Sequence, residues 1–344
     1  MASAAHLKPV PLPEPALRIG VLAMEGGLLS SLAAAGDMLQ VASKLAQIRQ
    51  PLQAPRLEDV MISARGAERV RLAGGLELGG LQPAPDRLDV ILVPGLMHGS
   101  VDELVRRVAA LTPEIDLLRT LHLRGVRIAA SCSGTFLLAE TGLLDGHRAT
   151  TSWWLSAMFR QRFPHVDLRE SELFVDAGDV LTAGASCASQ NLLLRLIAGA
   201  VDEELAQQTA RMLLVDTERQ SQAPYLNRAL IERPRHSLSE KAENFLQREL
   251  HEDLSVARLA EHCGTSERSL LRHFRSHYGV TPLEHIQHLR VERAKALLET
   301  SHLSFEEIVE RCGYSDVSSF RKLFKRATAL TPMDYRERFR LRPH

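Results

Sequence analysis

VARLAEHCGTSERSLLRHFRSHYGVTP, residues 256–282, and FEEIVERCGYSDVSSFRKLFKRATALTP, residues 305–332, say nearly the same thing twice. Cys263-Gly264 matches Cys312-Gly313 at an offset of 49. Leu270, Phe274, Thr281 and Pro282 match Phe320, Phe324, Thr331 and Pro332 at an offset of 50, so one residue has entered the second turn. Each copy reads as an apolar-periodic helix, a Gly turn, a Ser before the next helix, and a helix with one basic face. That order is the helix-turn-helix pattern.

Two such units joined by one helix resemble the AraC-type DNA-binding domain. The units span 256–275 and 305–326, within an all-α region from 238 to 340. In the first, Ser266 is placed to cap a helix, because its hydroxyl can accept from a free backbone N–H, and it is counted with the DNA-facing residues. Leu270, Leu271 and Phe274 then face inward. Arg268, Ser269, Arg272, His273 and Arg275 fall outward, with Arg268 and Arg272 one helical turn apart on one side. A connecting helix from Pro282 to Thr300 offers Leu283, Ile286, Leu289, Ala294, Leu297 and Leu298 as an apolar seam. In the second unit Ser315 is the expected cap and Phe320, Leu323 and Phe324 pack inward. Asp316, Val317, Ser318, Ser319, Arg321, Lys322 and Lys325 stay outside, with Arg326. The earlier residues would reach base edges and the later cations would grip phosphates. A solvated surface is the competing reading of each basic face. Recurrence on the same helix of a repeated unit favours DNA. Two readers on one DNA face would stand about 34 Å apart.

The whole chain, 344 residues at 45% hydrophobic and 24% charged, suits two cores. Its formal net charge is zero, so bulk charge does not argue for nucleic acid. The segment from Arg235 onward is the basic part, with 19 Lys+Arg against 16 Asp+Glu. Cys132, Cys187, Cys263 and Cys312 are dispersed, with neither a CxxC pair nor metal-ligand spacing. Such usage suits a reducing compartment, and no metal or other cofactor is expected. MASAAHLKPVPLPEP lacks the apolar core of a signal peptide and reads as an arm over 1–16. No apolar run is long enough to span a bilayer. A cytoplasmic protein with no membrane partner is expected.

The first half alternates strand and helix. LRIGVLAM (17–24), Val60–Ala64, LDVILVP (88–94) and VRIAAS (126–131) read as strands, with a hairpin over 69–78. Helical stretches are expected over 28–46, 101–123 with a restart at Pro113, 134–140, 184–200 and 202–215. Such alternation implies a mostly parallel sheet covered on both faces, with ligands at the carboxyl ends of the strands. Ala130-Ser131-Cys132-Ser133-Gly134-Thr135 runs a small-residue strand straight into a helix with Cys at the bend. That is nucleophile-elbow geometry, and a helix N-terminus favours the thiolate.

IAASCSGTFLLAETGLLDGHRATTSW resembles the signature of the class I glutamine amidotransferase-like (PfpI-like) superfamily, in the branch fused to an AraC-type reader. The likeness runs from about Arg18 to Arg338. It implies an α/β flavodoxin-like parallel sheet sandwich over 17–215, followed by the all-α double helix-turn-helix domain. It also implies an acid and a His beside the Cys. Here those positions fall on Ser31 and Ser152, while Glu25 and His98 sit elsewhere. A thiol without base or acid is a poor hydrolase. No catalytic residue is therefore assigned, and three readings of Cys132 stand: nucleophile, pocket residue, or packing residue. A pocket would be rimmed by Gly95, Leu96, Cys132, Ser133, Ser152 and Trp153. Trp153 and Trp154 would suit a cationic or apolar ligand, or simply cap the core. Cys187 reads as a buried small residue.

Residues 216–237 break the periodicity, carry Pro224 and Pro234, and form the expected linker. The resemblance implies a DNA-binding regulator, often an activator and a dimer. Its effector would be a small metabolite, an amino acid or quaternary amine, and its partners promoter DNA and RNA polymerase. The alternative is a Cys132-dependent amidase or glyoxalase-like enzyme carrying a DNA-binding domain. A Cys132 redox sensor is a third reading, without a paired resolving Cys.

Overall fold

The computed structural model describes residues 16–227, 230–231, 237–252 and 254–340. The expected N-terminal arm lies outside them except for Ala16.

The elements of the first half are β1 (Leu17–Leu22), α1 (Leu29–Arg49), β2 (Leu57–Ile62), β3 (Arg69–Arg71), β4 (Glu77–Gly79), β5 (Val90–Val93), α2 (Val101–Ala109), α3 (Thr112–Leu123), β6 (Arg127–Ser131) and α4 (Gly134–Glu140). They continue with β7 (Arg148–Ala149), α5 (Ser156–Arg162), β8 (Asp167–Leu168), β9 (Phe174–Asp176), β10 (Val180–Ala183), α6 (Ala188–Ala200) and α7 (Glu203–Met212). One six-stranded sheet runs β2-β1-β5-β6-β10-β9 and is parallel except at β9.

Side-chain alternation along the strands builds two cores. Ile91 and Val93 of β5, with Ile128 and Ala130 of β6, pack under α2, α3, α4 and α5. Val90, Leu92 and Ala129 face the other way, against α1, α6 and α7. Burial on both faces explains why these strands read as unbroken apolar runs. Each fully buried Leu or Ile contributes roughly 2 kcal/mol through apolar area removed from water. The doubly covered parallel sheet is the fold that the repeat of strand and helix implied.

Three expectations shift. The 184–200 helix begins only at Ala188, because 184–187 form the turn leaving β10. Gly184 is engaged there, donating to Leu173 O and accepting from Cys132 N. β7 to β10 went unread, since strands of two to four residues carry too little periodicity to register. Residues 216–227, within the segment read as linker, pack on the sheet domain. Ser221 bridges Glu172, and Gln222 is 2% exposed.

The second half is helical: α8 (Ser237–Glu249), α9 (Val256–His262), α10 (Glu267–Tyr278), α11 (Pro282–Thr300), α12 (Phe305–Arg311), α13 (Val317–Thr328) and α14 (Pro332–Phe339). Each unit has its own core, Leu259, Leu270 and Phe274 in the first and Ile308, Phe320 and Phe324 in the second. Cys263 and Cys312 are buried at equivalent places in them. Burial pushes the Cys312 thiol up to about 11, so it behaves as a small apolar residue.

The connecting helix α11 departs from its expected seam. Leu283 is half exposed, whereas His285, Arg290 and Lys295 are buried. Each polar head has a reason to be inside. Glu243 binds His285 Nε2 at 2.8 Å, and Arg290 donates to Leu250 O and Glu252 O while lying over the Tyr314 ring. Lys295 Nζ donates to Leu226 O and is held by Glu292. A hydrophobic pattern cannot announce cations whose partners are distant carbonyls.

Candidate nucleic-acid interface and ligand site

The reader helices start from side-chain caps. Ser266 Oγ accepts from Ser269 N at 3.2 Å, as expected for α10. In the second unit Asp316, not Ser315, caps α13, accepting from Ser318 N at 2.9 Å and Ser319 N at 3.2 Å. The extra residue in the second turn moves the cap one place on. Asp316 therefore spends its carboxylate on its own helix, and Ser319 Oγ also donates to it at 2.6 Å.

Arg268, Arg272 and Arg275 are exposed along α10, as are Ser318, Ser319, Arg321, Lys322 and Lys325 along α13. Ser269 and Val317 are half-buried at the helix starts, and Val317 packs against the second core. His273 does not share the open face. Its Nε2 pairs with Ser239 Oγ of α8 at 2.8 Å, and its ring stacks on His277. Arg321 rests over the Phe305 ring at 5.3 Å and pairs with Glu306 at 3.5 Å. Arg326, grouped with the outer cations, is exposed as well and lines a 250 Å³ cleft together with Glu170 and Ser171 of the sheet domain.

The caps should make the stability of this domain fall at low pH. A backbone N–H, from Thr281 and Ser304 respectively, holds the Glu284 and Glu307 carboxyls below their ordinary values; the Ser319 hydroxyl does so for Asp316. Carboxyls lowered on folding stabilise above their unfolded range and lose that contribution as pH falls through the folded value. The helical domain's melting temperature should drop between pH 5 and pH 3, followed by circular dichroism, and Asp316→Asn should flatten that drop. An unchanged pH profile in the variant would refute the role given to this cap.

The loops at the carboxyl ends of β1, β5 and β6 meet at the elbow. Leu28 N donates to Gly95 O at 2.9 Å and Met97 N to Gly26 O at 3.0 Å, zipping the first two loops together. Cys132 sits at φ 57°, the left-handed region, which costs a non-glycine residue about 1 kcal/mol. Its N–H is fixed by Gly184 O at 2.7 Å and its carbonyl by the Thr151 hydroxyl at 2.8 Å. Ser133 Oγ exchanges hydrogen bonds with the Leu96 backbone at 2.8 and 2.9 Å. Gly95 packs so closely on Cys132 that a Cβ there would lie 3.3 Å from Sγ.

The six residues expected to rim a pocket are thus brought together, and all are buried. Ser152 Oγ donates to Cys132 Sγ at 3.0 Å, so the position implied for His carries a hydroxyl. Ser31 is buried and bonds the Ser186 hydroxyl at 3.4 Å. Of the two alternatives, Glu25 is exposed on a 790 Å³ cavity between the β3–β4 hairpin and α2–α3. His98 Nδ1 is turned to Leu96 O at 3.0 Å. Cys187, expected inside, is exposed at the head of α6. A 320 Å³ cavity beside it takes in Trp153, with Arg219, Gln222 and Tyr225 from the segment read as linker. Nothing local marked Gln222, because its bonding partners lie 50 to 72 residues away.

Comparison with known proteins accounts for both halves. Residues 259–338 match the model of a helix-turn-helix domain, and residues 72–198 that of the DJ-1/PfpI family. The chain is 30% identical over 329 residues to the HTH-type transcriptional regulator GlxA of Rhizobium meliloti (strain 1021), covering 93% of this chain and 96% of that protein. The HTH-type transcriptional regulator ArgR of Pseudomonas aeruginosa (strain ATCC 15692) is 32% identical over 241 residues, 67% of this chain and 71% of its own. CdhR of the same organism, also an HTH-type transcriptional regulator, is 31% identical over 228 residues, 65% of this chain and 67% of its own. With the doubled reader and the elbow-bearing sheet both in place, the chain belongs to the DNA-binding transcriptional regulators that join a DJ-1/PfpI-family domain to an AraC-type helix-turn-helix domain.

Proposed function

We propose that the sheet domain is a non-catalytic sensor whose small-molecule effector controls promoter binding by α10 and α13. The chain works in the cytoplasm as a homodimeric activator that recruits RNA polymerase. The carrying observation is the environment of Cys132: the hydrogen-bond partner of its thiol is the Ser152 hydroxyl, which can neither take its proton at neutral pH nor be oriented by an acid at Ser31. Removing base and acid while keeping the elbow leaves a rigid scaffold at the strand ends, where ligands of such sheets sit.

Control requires that effector bind one arrangement of the two domains better than another. The contacts between them supply such an arrangement. Asp216 pairs with Arg338 at 2.7 Å, Lys295 holds Leu226 O, and Tyr225 meets the Phe339 ring at 5.0 Å between centroids. Cys132→Ser should leave effector-dependent promoter binding intact, measured by mobility shift, with no turnover of the effector by either form. Loss of the response together with loss of a measurable turnover would install the enzyme reading instead.

A further inference from the structure

We infer that the effector of the proposed sensor is a small organic oxyanion of two or more negative charges, a polycarboxylate or a phosphate ester without an amine, held in the 790 Å³ cavity between the β3–β4 hairpin and α2–α3. This assignment rests on the sensor reading and adds a place and a ligand class to it.

The cavity opens where a ligand of this sheet is expected. Its walls include Met24 and Glu25 after β1, Ser63 and Arg65 after β2, and Met97 after β5, at the carboxyl ends of three neighbouring parallel strands. The elbow next to it is filled, because Gly95, Cys132 and Ser152 pack on one another and are buried. The volume lies within the range of about 300–1,000 Å³ usual for small-molecule sites.

Arg65, Arg69, Arg71 and Arg107 line this cavity against two carboxylates, Glu25 and Glu114, and all four arginines are exposed. Their positions are set from behind. Glu114, 2% exposed, accepts from Arg65 Nε at 2.8 Å and Nη2 at 3.1 Å. Arg107 donates to Met97 O at 3.1 Å and pairs with Glu103 at 2.8 Å, and a Cβ at Gly26 would collide with its Nη1. The Arg71 carbonyl is fixed by Gly26 N at 3.0 Å. Strand alternation puts Arg69 on the same face of β3 as Arg71, since Val70 turns to the core beneath α1. Glu77 stands 4.0 Å from Arg69, while Arg71 has no acidic partner among the described residues.

Charge decides the ligand class. Glu114 is taken up by Arg65 and Glu103 by Arg107. Arg69, Arg71 and the outer edge of Arg65 remain for a ligand, and Glu25 is the exposed acid on the wall. Guanidiniums grouped in this way match the paired oxygens of carboxylates and phosphates. An ammonium would gain Glu25 and face three cations, so an amine-free anion is preferred. Buried Met24, Leu72 and Leu111 give its carbon skeleton an apolar wall. Occupancy also reaches the elbow. Gly26 and Met97 form the hydrogen bond that zips the β1 and β5 loops together, and Arg107 touches both.

The test is calorimetry and thermal shift on the full chain with succinate, citrate, glycerol 3-phosphate and glucose 6-phosphate at millimolar concentration, beside alanine and glycine betaine. At least one of the four anions should bind, raise the melting temperature, weaken with added salt, and bind about tenfold or more tighter than either zwitterion. Which pair responds separates the carboxylate from the phosphate source. Arg71→Ala should weaken binding about tenfold, and Glu25→Gln should tighten it roughly threefold. Arg106→Ala, on the outer side of α2, should leave it unchanged. An anion that binds should also change promoter affinity in a mobility shift, and an unchanged shift refutes it as the effector. Binding that weakens in Glu25→Gln, or a preference for alanine or glycine betaine, overturns the ligand class. Binding indifferent to Arg71→Ala overturns the site, as does absence of binding by all four anions. A metabolite extract that still alters promoter affinity in that last case preserves the sensor reading, and one that does not removes it too.

Discussion

Arg272→Ala combined with Arg321→Ala should weaken binding to a specific promoter fragment by roughly 100-fold or more. Arg272 on a base edge would contribute about 1–3 kcal/mol of discrimination and Arg321 would grip a phosphate; the two lie on different readers, so the losses should nearly add. Arg272 is exposed on α10, one turn from Arg268. Arg321 is exposed on α13 next to Lys322, the residue equivalent to Arg272, and is held over the Phe305 ring and beside Glu306. Lys325→Ala should behave differently, lowering affinity for all sequences alike and reducing the salt slope by about one. Arg106→Ala, on the exposed side of α2 in the sensor, should change neither. Unchanged promoter affinity in the double variant would dismiss α10 and α13 as readers.

The second large effect belongs to the elbow. Gly134→Ala should destabilise the sheet domain by about 3 kcal/mol, because the added methyl overpacks a site that cannot yield. A Cβ at Gly134 would stand 2.4 Å from Pro94 O and 2.7 Å from Val93 O, which are backbone atoms at the end of β5. The glycine lets α4 begin directly against the neighbouring strand, two residues after Cys132 in its left-handed conformation. Urea unfolding of the full chain should show the sensor transition moved to lower denaturant, with the helical domain's transition in place. Coincident curves for variant and parent would mean that the elbow is not closed as described.

Much of this was legible in the chain because it is written in local patterns. The doubled Cys-Gly turn and the Phe274 and Phe324 positions fixed the reader helices, and continuous apolar strands fixed a sheet buried on both faces. Ser133-Gly134 after Cys132 fixed the elbow. The cap at Asp316 was missed by one place, since both Ser315 and Asp316 are good caps and only the turn geometry separates them. The side of His273 that meets Ser239 depends on how α8 crosses α10, which no spacing encodes. The same holds for Gln222. Its segment read as linker because it lacks periodicity, yet its amide is bonded to residues fifty or more positions away. Long-range polar satisfaction leaves no rhythm in a sequence.

The central claim, a DNA reader governed by its sensor domain, is tested most directly by selecting fragments of genomic DNA with the purified full chain and footprinting those retained, with and without effector. The account predicts a shared site in which two half-sites recur about one helical turn apart, both protected, with protection altered by the effector. Retained fragments with no common sequence, or a footprint indifferent both to effector and to the Arg272→Ala/Arg321→Ala change, would contradict it.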